Sequence, residues 1–194
     1  ISMMRQGLRR AEPQQGNQWI TWLGQQLTAG RLGEQSSVGT ELMYHASARP
    51  DYQYNALYYG LSRVEKTPAI LRRMVEIAIS SEDWINVIGH VAWATAGDKE
   101  KTISFLDPYL ASTDPKVRSH AETLKQIFSG ELTAHDQWTQ VHTERAKDQF
   151  GAQMQELRQR MTEGDSTARL DLLRTIMSNH LWLIMDDSWI DACR

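Results

Sequence analysis

Apolar residues recur along most of the chain at the three- and four-residue spacing of amphipathic helices. The period-two alternation and the tight Asn-Gly or Asp-Gly turns that mark strands and hairpins are nearly absent. The hydrophobic pattern therefore predicts an all-α fold.

Local signals indicate where these helices begin and end. Thr67-Pro68 and Asp114-Pro115 each place a capping side chain before a proline suited to the first helical turn. Gly97, Gly130 and Gly164 stand where helix C-termini favour a residue in the left-handed conformation. Helices are predicted over residues 17–29, 37–47, 51–64, 68–80, 83–96, 99–111, 114–129, 134–162, 166–179 and 187–194.

An apolar–small–apolar triplet recurs at an interval of 32 or 33 residues. A small residue at a fixed helical position lets two helix axes approach closely. Three copies at one interval favour stacked helix pairs that bury their apolar faces against each other. The copies are Tyr52-Ala56-Tyr59, Ile85-Gly89-Ala92 and Val117-Ala121-Leu124.

The segment 114–118, Asp-Pro-Lys-Val-Arg, followed by Ala121 and Leu124, resembles the second helix of a HEAT repeat. This resemblance implies a short α-solenoid, an α–α superhelix of HEAT-like helix pairs, with a curved binding surface. It implies no particular activity.

The predicted organisation is a single helical-repeat domain over residues 1–194. Residues 1–16 are expected to be loose, the clearest repeats fall within 38–130, and 133–194 form an irregular helical continuation. Because the chain starts at Ile1 rather than methionine, we expect it to be processed or excised from a longer protein.

Composition narrows the possible partners. Hydrophobic residues make up 41% of the chain and charged residues 23%, which suits a globular protein. The net charge of −3 lacks the basic excess of a nucleic-acid binder. No apolar run approaches the roughly 18 residues of a membrane span. We therefore predict a protein partner, no nucleic acid and no membrane span.

Candidate catalytic residues are few. His135-Asp136, with His90 or His120 upstream, resembles the metal-binding pattern of HD-type phosphohydrolases, but Asp136 is also an ordinary residue for a first helical turn. No HExxH or comparable ligand spacing occurs, so no metal and no cofactor are predicted. The main hypothesis is a non-catalytic protein-binding or scaffold module. The alternative is an all-α metal-dependent phosphohydrolase centred on His135-Asp136.

The candidate binding residues are aromatic. Helical spacing places Tyr54 and Tyr58 away from the predicted core face, and exposed tyrosines often anchor protein interfaces. Alternatively, both rings pack against the loop 30–40 or the N-terminal helix. His90 and Trp93 occupy the corresponding helix of the next repeat and would extend the same surface.

Overall fold

The computed structural model describes residues 6–7 and 11–179. The chain divides into two compact units, Ile1–Ala134 and His135–Arg194. The division falls close to residue 130, where the sequence repeat becomes irregular. A single domain over 1–194 stays a prediction.

Every regular element among the described residues is helical, which confirms the all-α prediction. The helices are α1 (Pro13–Thr28), α2 (Ser36–Ala46), α3 (Pro50–Ala56), α4 (Pro68–Ser80), α5 (Trp84–Ala94), α6 (Lys99–Ser104), α7 (Asp107–Leu110), α8 (Pro115–Ser129), α9 (Ala134–Thr162) and α10 (Ala168–Asn179). A π-helical turn, Leu57–Leu61, continues α3, and short 3₁₀ turns occupy Gly33–Gln35 and Ala96–Asp98. The predicted helix over 187–194 lies outside the described residues. Within 11–179, no helix combines the length and apolar character needed to cross a membrane.

Most of the predicted helix ends are confirmed. The Thr67 side chain accepts a hydrogen bond from the Ile70 amide at 3.3 Å, and Asp114 accepts one from the Lys116 amide at 2.8 Å. Gly130 and Gly164 have φ values of 82° and 89°, as a left-handed helix end requires.

Two predicted boundaries are wrong. Gly97 does not adopt a left-handed conformation but lies inside the 3₁₀ turn after α5. The helix predicted over 99–111 is broken into α6 and α7. Pro108 explains the break, because it has no amide hydrogen to donate to the carbonyl of Ser104, the last residue of α6.

The core of the first unit is built around α4, whose Leu71, Met74 and Val75 side chains are fully buried. Helix α4 packs on α5 and also contacts α6 and α8. Helix α1 packs against α3 and the π turn. Gly24 permits this contact, since an added Cβ would lie 2.6 Å from the Cβ of Tyr59.

The π turn interrupts the simple helical spacing on which the triplet was based. The Ser62 amide donates to the Leu57 carbonyl at 3.0 Å, five residues back. An uninterrupted helix would put Tyr59 on the same face as Tyr52 and Ala56. Those two residues are fully buried, whereas Tyr59 is only half-buried.

The role predicted for Gly89 is also wrong. A Cβ added there would meet only the Cβ of Ala134, at the ordinary contact distance of 3.5 Å. Gly89 therefore does not mark a close approach of two helices. Such approaches lie instead at Gly24, against Tyr59, and at Gly60, against the side chain of Met43.

In the second unit, α9 runs without a break from Ala134 to Thr162. It packs on α10 through a small buried cluster of Met154, Leu157 and Leu172. Hydrogen bonds from Thr167 and Arg160 fix the connecting turn and lower the pKa of Asp165 to about 2. Arg160 and Asp165 are thus explained as structural groups of the turn.

Candidate binding surface

Tyr54 and Tyr58 form a stacked pair where α3 passes into the π turn. Their ring centroids are 5.9 Å apart and their planes differ by 6°. Tyr54 is 49% exposed, and Tyr58 is half-buried with its ring edge-on to Tyr59 at 4.9 Å. The exposed ring of Tyr54 therefore lies on the half-buried ring of Tyr58.

The stack continues onto α5. The Tyr58 ring lies 4.8 Å from the imidazole of His90, which in turn lies 5.6 Å from the indole of Trp93. Trp93 is 62% exposed. All four residues named from the sequence are thus joined in one series of ring contacts, which we call the aromatic surface (Tyr54, Tyr58, His90 and Trp93).

Sequence reasoning missed a fifth residue, Arg63. Its guanidinium lies 5.8 Å from the ring centroid of Tyr58 and 5.6 Å from that of Trp93. A cation over the face of an aromatic ring is attracted by the ring quadrupole, by about 0.5–1 kcal/mol at exposed sites. These two contacts favour a position of the Arg63 side chain next to the exposed indole of Trp93.

Lys66 supports the segment that carries Arg63. Its ammonium group donates hydrogen bonds to the carbonyls of Ser62 and Val64, at 3.0 and 2.6 Å. Burial lowers the pKa of Lys66, and the nearby Asp98 opposes that shift. A cation at the last carbonyls of a helix satisfies acceptors that have no helical partner.

His90 lies between the rings of Tyr58 and Trp93. Burial lowers its pKa below the ordinary 6.5, and the positive charges of Arg63 and Lys66 lower it further. Its Nε2 atom is buried and has no hydrogen-bond partner in the described part of the chain. The lowered pKa favours the neutral form of the imidazole that joins Tyr58 and Trp93.

The residues of the hydrolase alternative lie in different surroundings. His135 and Asp136 are both exposed at the start of α9. His120 is buried, with its ring stacked on Trp84 at 4.3 Å and its Nδ1 atom 2.8 Å from the Ile79 carbonyl. Within the described chain, no three His, Cys, Asp or Glu side chains are placed to hold a metal ion. The hydrolase alternative therefore gains no support from this geometry.

The environment of His120 predicts a loss of stability in acid. Burial lowers its pKa below 6.5 and outweighs the opposing hydrogen bond to Ile79. Below pH 6.5 the unfolded chain thus binds more protons than the folded chain, so the free energy of unfolding falls as the pH falls towards the lowered value. Urea unfolding at a series of pH values should show this fall. It should be shallower in His120→Asn, whose amide can still donate to Ile79. Identical slopes in the two proteins would contradict the assignment.

A second pair of exposed aromatic residues lies on α1. Trp19 and Trp22 are in edge-to-face contact at 6.4 Å, and Trp22 is 52% exposed. Trp22 borders a groove that is otherwise polar, lined by Gln14, Asn17, Gln18, Thr21, Gln25 and Asn55. Helical spacing alone does not predict that these two tryptophans are exposed rather than part of the core.

No family model, no curated protein and no solved structure matches this chain.

Proposed function

We propose that the chain is a non-catalytic protein-binding module that holds its partner through the aromatic surface. The observation that carries this proposal is the unbroken series of ring contacts that ends in two exposed residues, Tyr54 and Trp93. Tryptophan, tyrosine and arginine are the residue types most enriched among those that dominate binding energy at protein interfaces.

The supporting rings make this surface suitable for binding. Tyr58 packs against Tyr54, and His90 packs against Trp93. The two exposed side chains would therefore have lost much of their rotational freedom before a partner binds. Ordering a side chain on binding costs roughly 0.5–1.5 kcal/mol, and preorganisation reduces that cost.

A HEAT-like solenoid is the architecture we propose for this module. Consecutive helices pack in pairs, α2 on α3, α4 on α5 and α7 on α8, and α4 also contacts α8 of the following pair. Contacts between neighbouring pairs are what a stack of repeats requires. The aromatic surface then spans two successive pairs, with Tyr54 on α3 and Trp93 on α5.

A random peptide library displayed on phage tests the proposal. The full chain is immobilised, and bound peptides are assayed against Trp93→Ala and against Trp22→Ala as the matched control. Both changes remove a tryptophan more than half exposed, so neither is expected to disturb folding. We expect peptides that lose at least tenfold in affinity for Trp93→Ala and keep their affinity for Trp22→Ala.

Two results would overturn the proposal. One is a selection that yields no peptide above the background of the uncoated support. The other is a set of peptides that bind the wild type and Trp93→Ala equally well. Circular dichroism of both variants shows that a lost signal reflects the surface and not unfolding.

A further inference from the structure

Arg63 is a basic side chain in contact with two rings of the aromatic surface, those of Tyr58 and Trp93. No carboxylate in the described chain lies within ion-pair distance of it. Elsewhere in the first unit the Arg49 and Arg73 side chains do pair with acidic neighbours, at 3.3 and 2.7 Å. The guanidinium beside Trp93 is thus an exposed donor group that forms no ion pair with a carboxylate of the described chain.

Resting on the proposed function, we propose that the aromatic surface recognises an acidic peptide, with a carboxylate on Arg63 and an adjacent apolar side chain on Trp93. Arginine offers paired N–H donors whose geometry matches a carboxylate, and such charge-assisted bonds are about twice as strong as neutral ones. The indole next to it supplies flat apolar area for the neighbouring residue of the peptide.

The local charge supports an anionic ligand. Lys66 adds a second positive charge near Arg63, and both act on His90 to lower its pKa. Asp98 lies close enough to act on Lys66, but its carboxylate is also bound to Lys101, at 3.3 Å. Two neighbouring basic side chains beside exposed aromatic rings favour an acidic ligand at this site.

An aromatic surface with an arginine also suits single-stranded nucleic acid, whose bases stack on such rings. The chain carries 21 Lys and Arg against 24 Asp and Glu, so it lacks the basic excess on which nucleic-acid affinity largely depends. The observations therefore favour the acidic peptide, and an oligonucleotide serves as the competing probe.

The peptides selected in the phage experiment provide the test. Those that need Trp93 should be richer in Asp and Glu than the starting library. The strongest is then synthesised, together with a copy in which each acidic residue is replaced by its amide, and titrated against the wild type and Arg63→Gln. Arg72→Gln is the matched control, since the Arg72 guanidinium also lies over an aromatic ring, 5.1 Å from the centroid of Phe105.

We expect at least tenfold weaker binding for the amide peptide and for Arg63→Gln, and unchanged binding for Arg72→Gln. Trp93-dependent peptides without acidic enrichment, or with full affinity for Arg63→Gln, would overturn this inference and leave the proposed function standing. Tighter binding of a short oligothymidine, lost in Arg63→Gln, would overturn it in favour of nucleic acid. A selection without any Trp93-dependent peptide removes both proposals.

Discussion

Replacing Gly24 by alanine is expected to lower the free energy of unfolding by about 3 kcal/mol, the upper end of the usual cost of overpacking. The new Cβ would lie 2.6 Å from the Cβ of Tyr59 and 2.8 Å from its carbonyl carbon. Main-chain atoms cannot move aside as the end of a flexible side chain can. Helix α1 would therefore have to shift away from the π turn and expose buried apolar area.

Gly89→Ala provides the control, because it makes the same change inside α5 of the same unit. Its Cβ finds ordinary space, so the variant should equal the wild type or gain about 0.5–1 kcal/mol from the better helix propensity of alanine. Urea unfolding followed by far-ultraviolet circular dichroism measures both. A loss at Gly89 as large as that at Gly24 would restore the role that the triplet repeat assigned to Gly89.

The helices were predictable because the signals that set them are local. Periodic apolar residues define a buried face, and Thr67 and Asp114 cap their helices through atoms two or three residues away. The break at Pro108 is local too, but the apolar pattern on both sides concealed it. Stacking into repeats depends on packing between helices. The spacing of Gly89 in the sequence therefore predicted a close helix contact that the structure does not contain.

Residues far away in the sequence pack against the π turn. It lies where Gly24 of α1 and Met43 of α2 press against residues 59 and 60. The 3.6-residue spacing of apolar residues does not show where a helix takes up an extra residue. The sequence therefore predicted a plain helix over 51–64. A π turn within a helix is uncommon and often occurs at functional sites. Here it carries Tyr58, the central ring of the aromatic surface.

The candidate site was predictable in part for the same reason. Tyr54 and Trp93 lie on the faces of their helices that point away from the core, and helical spacing reveals that. Arg63 follows the π turn, outside any helix, so helical spacing does not predict where its side chain points. Only its position over the rings of Tyr58 and Trp93 connects it to the site.

Tyr52→Ala is expected to have the largest effect of any single change discussed, a loss of about 3–5 kcal/mol. The Tyr52 ring is fully buried and lies where a Cβ on Gly16 would overlap it. Its hydroxyl donates to the Ala11 carbonyl at 3.1 Å, and the Arg49 guanidinium lies 4.4 Å from the ring centroid. Tyr52→Phe keeps the ring and removes only the hydroxyl, so it should cost about 1 kcal/mol.

Tyr54→Ala is the matched control, because it removes the same side chain two residues further along α3. Tyr54 is half exposed and its main contact is the stack on Tyr58, so its loss should cost about 1 kcal/mol or less. Thermal and urea unfolding of the three variants rank these effects. If Tyr54→Ala proved as damaging as Tyr52→Ala, the outward face of α3 would be a buried face. The aromatic surface could not then meet a partner, and both proposals built on it would fail with it.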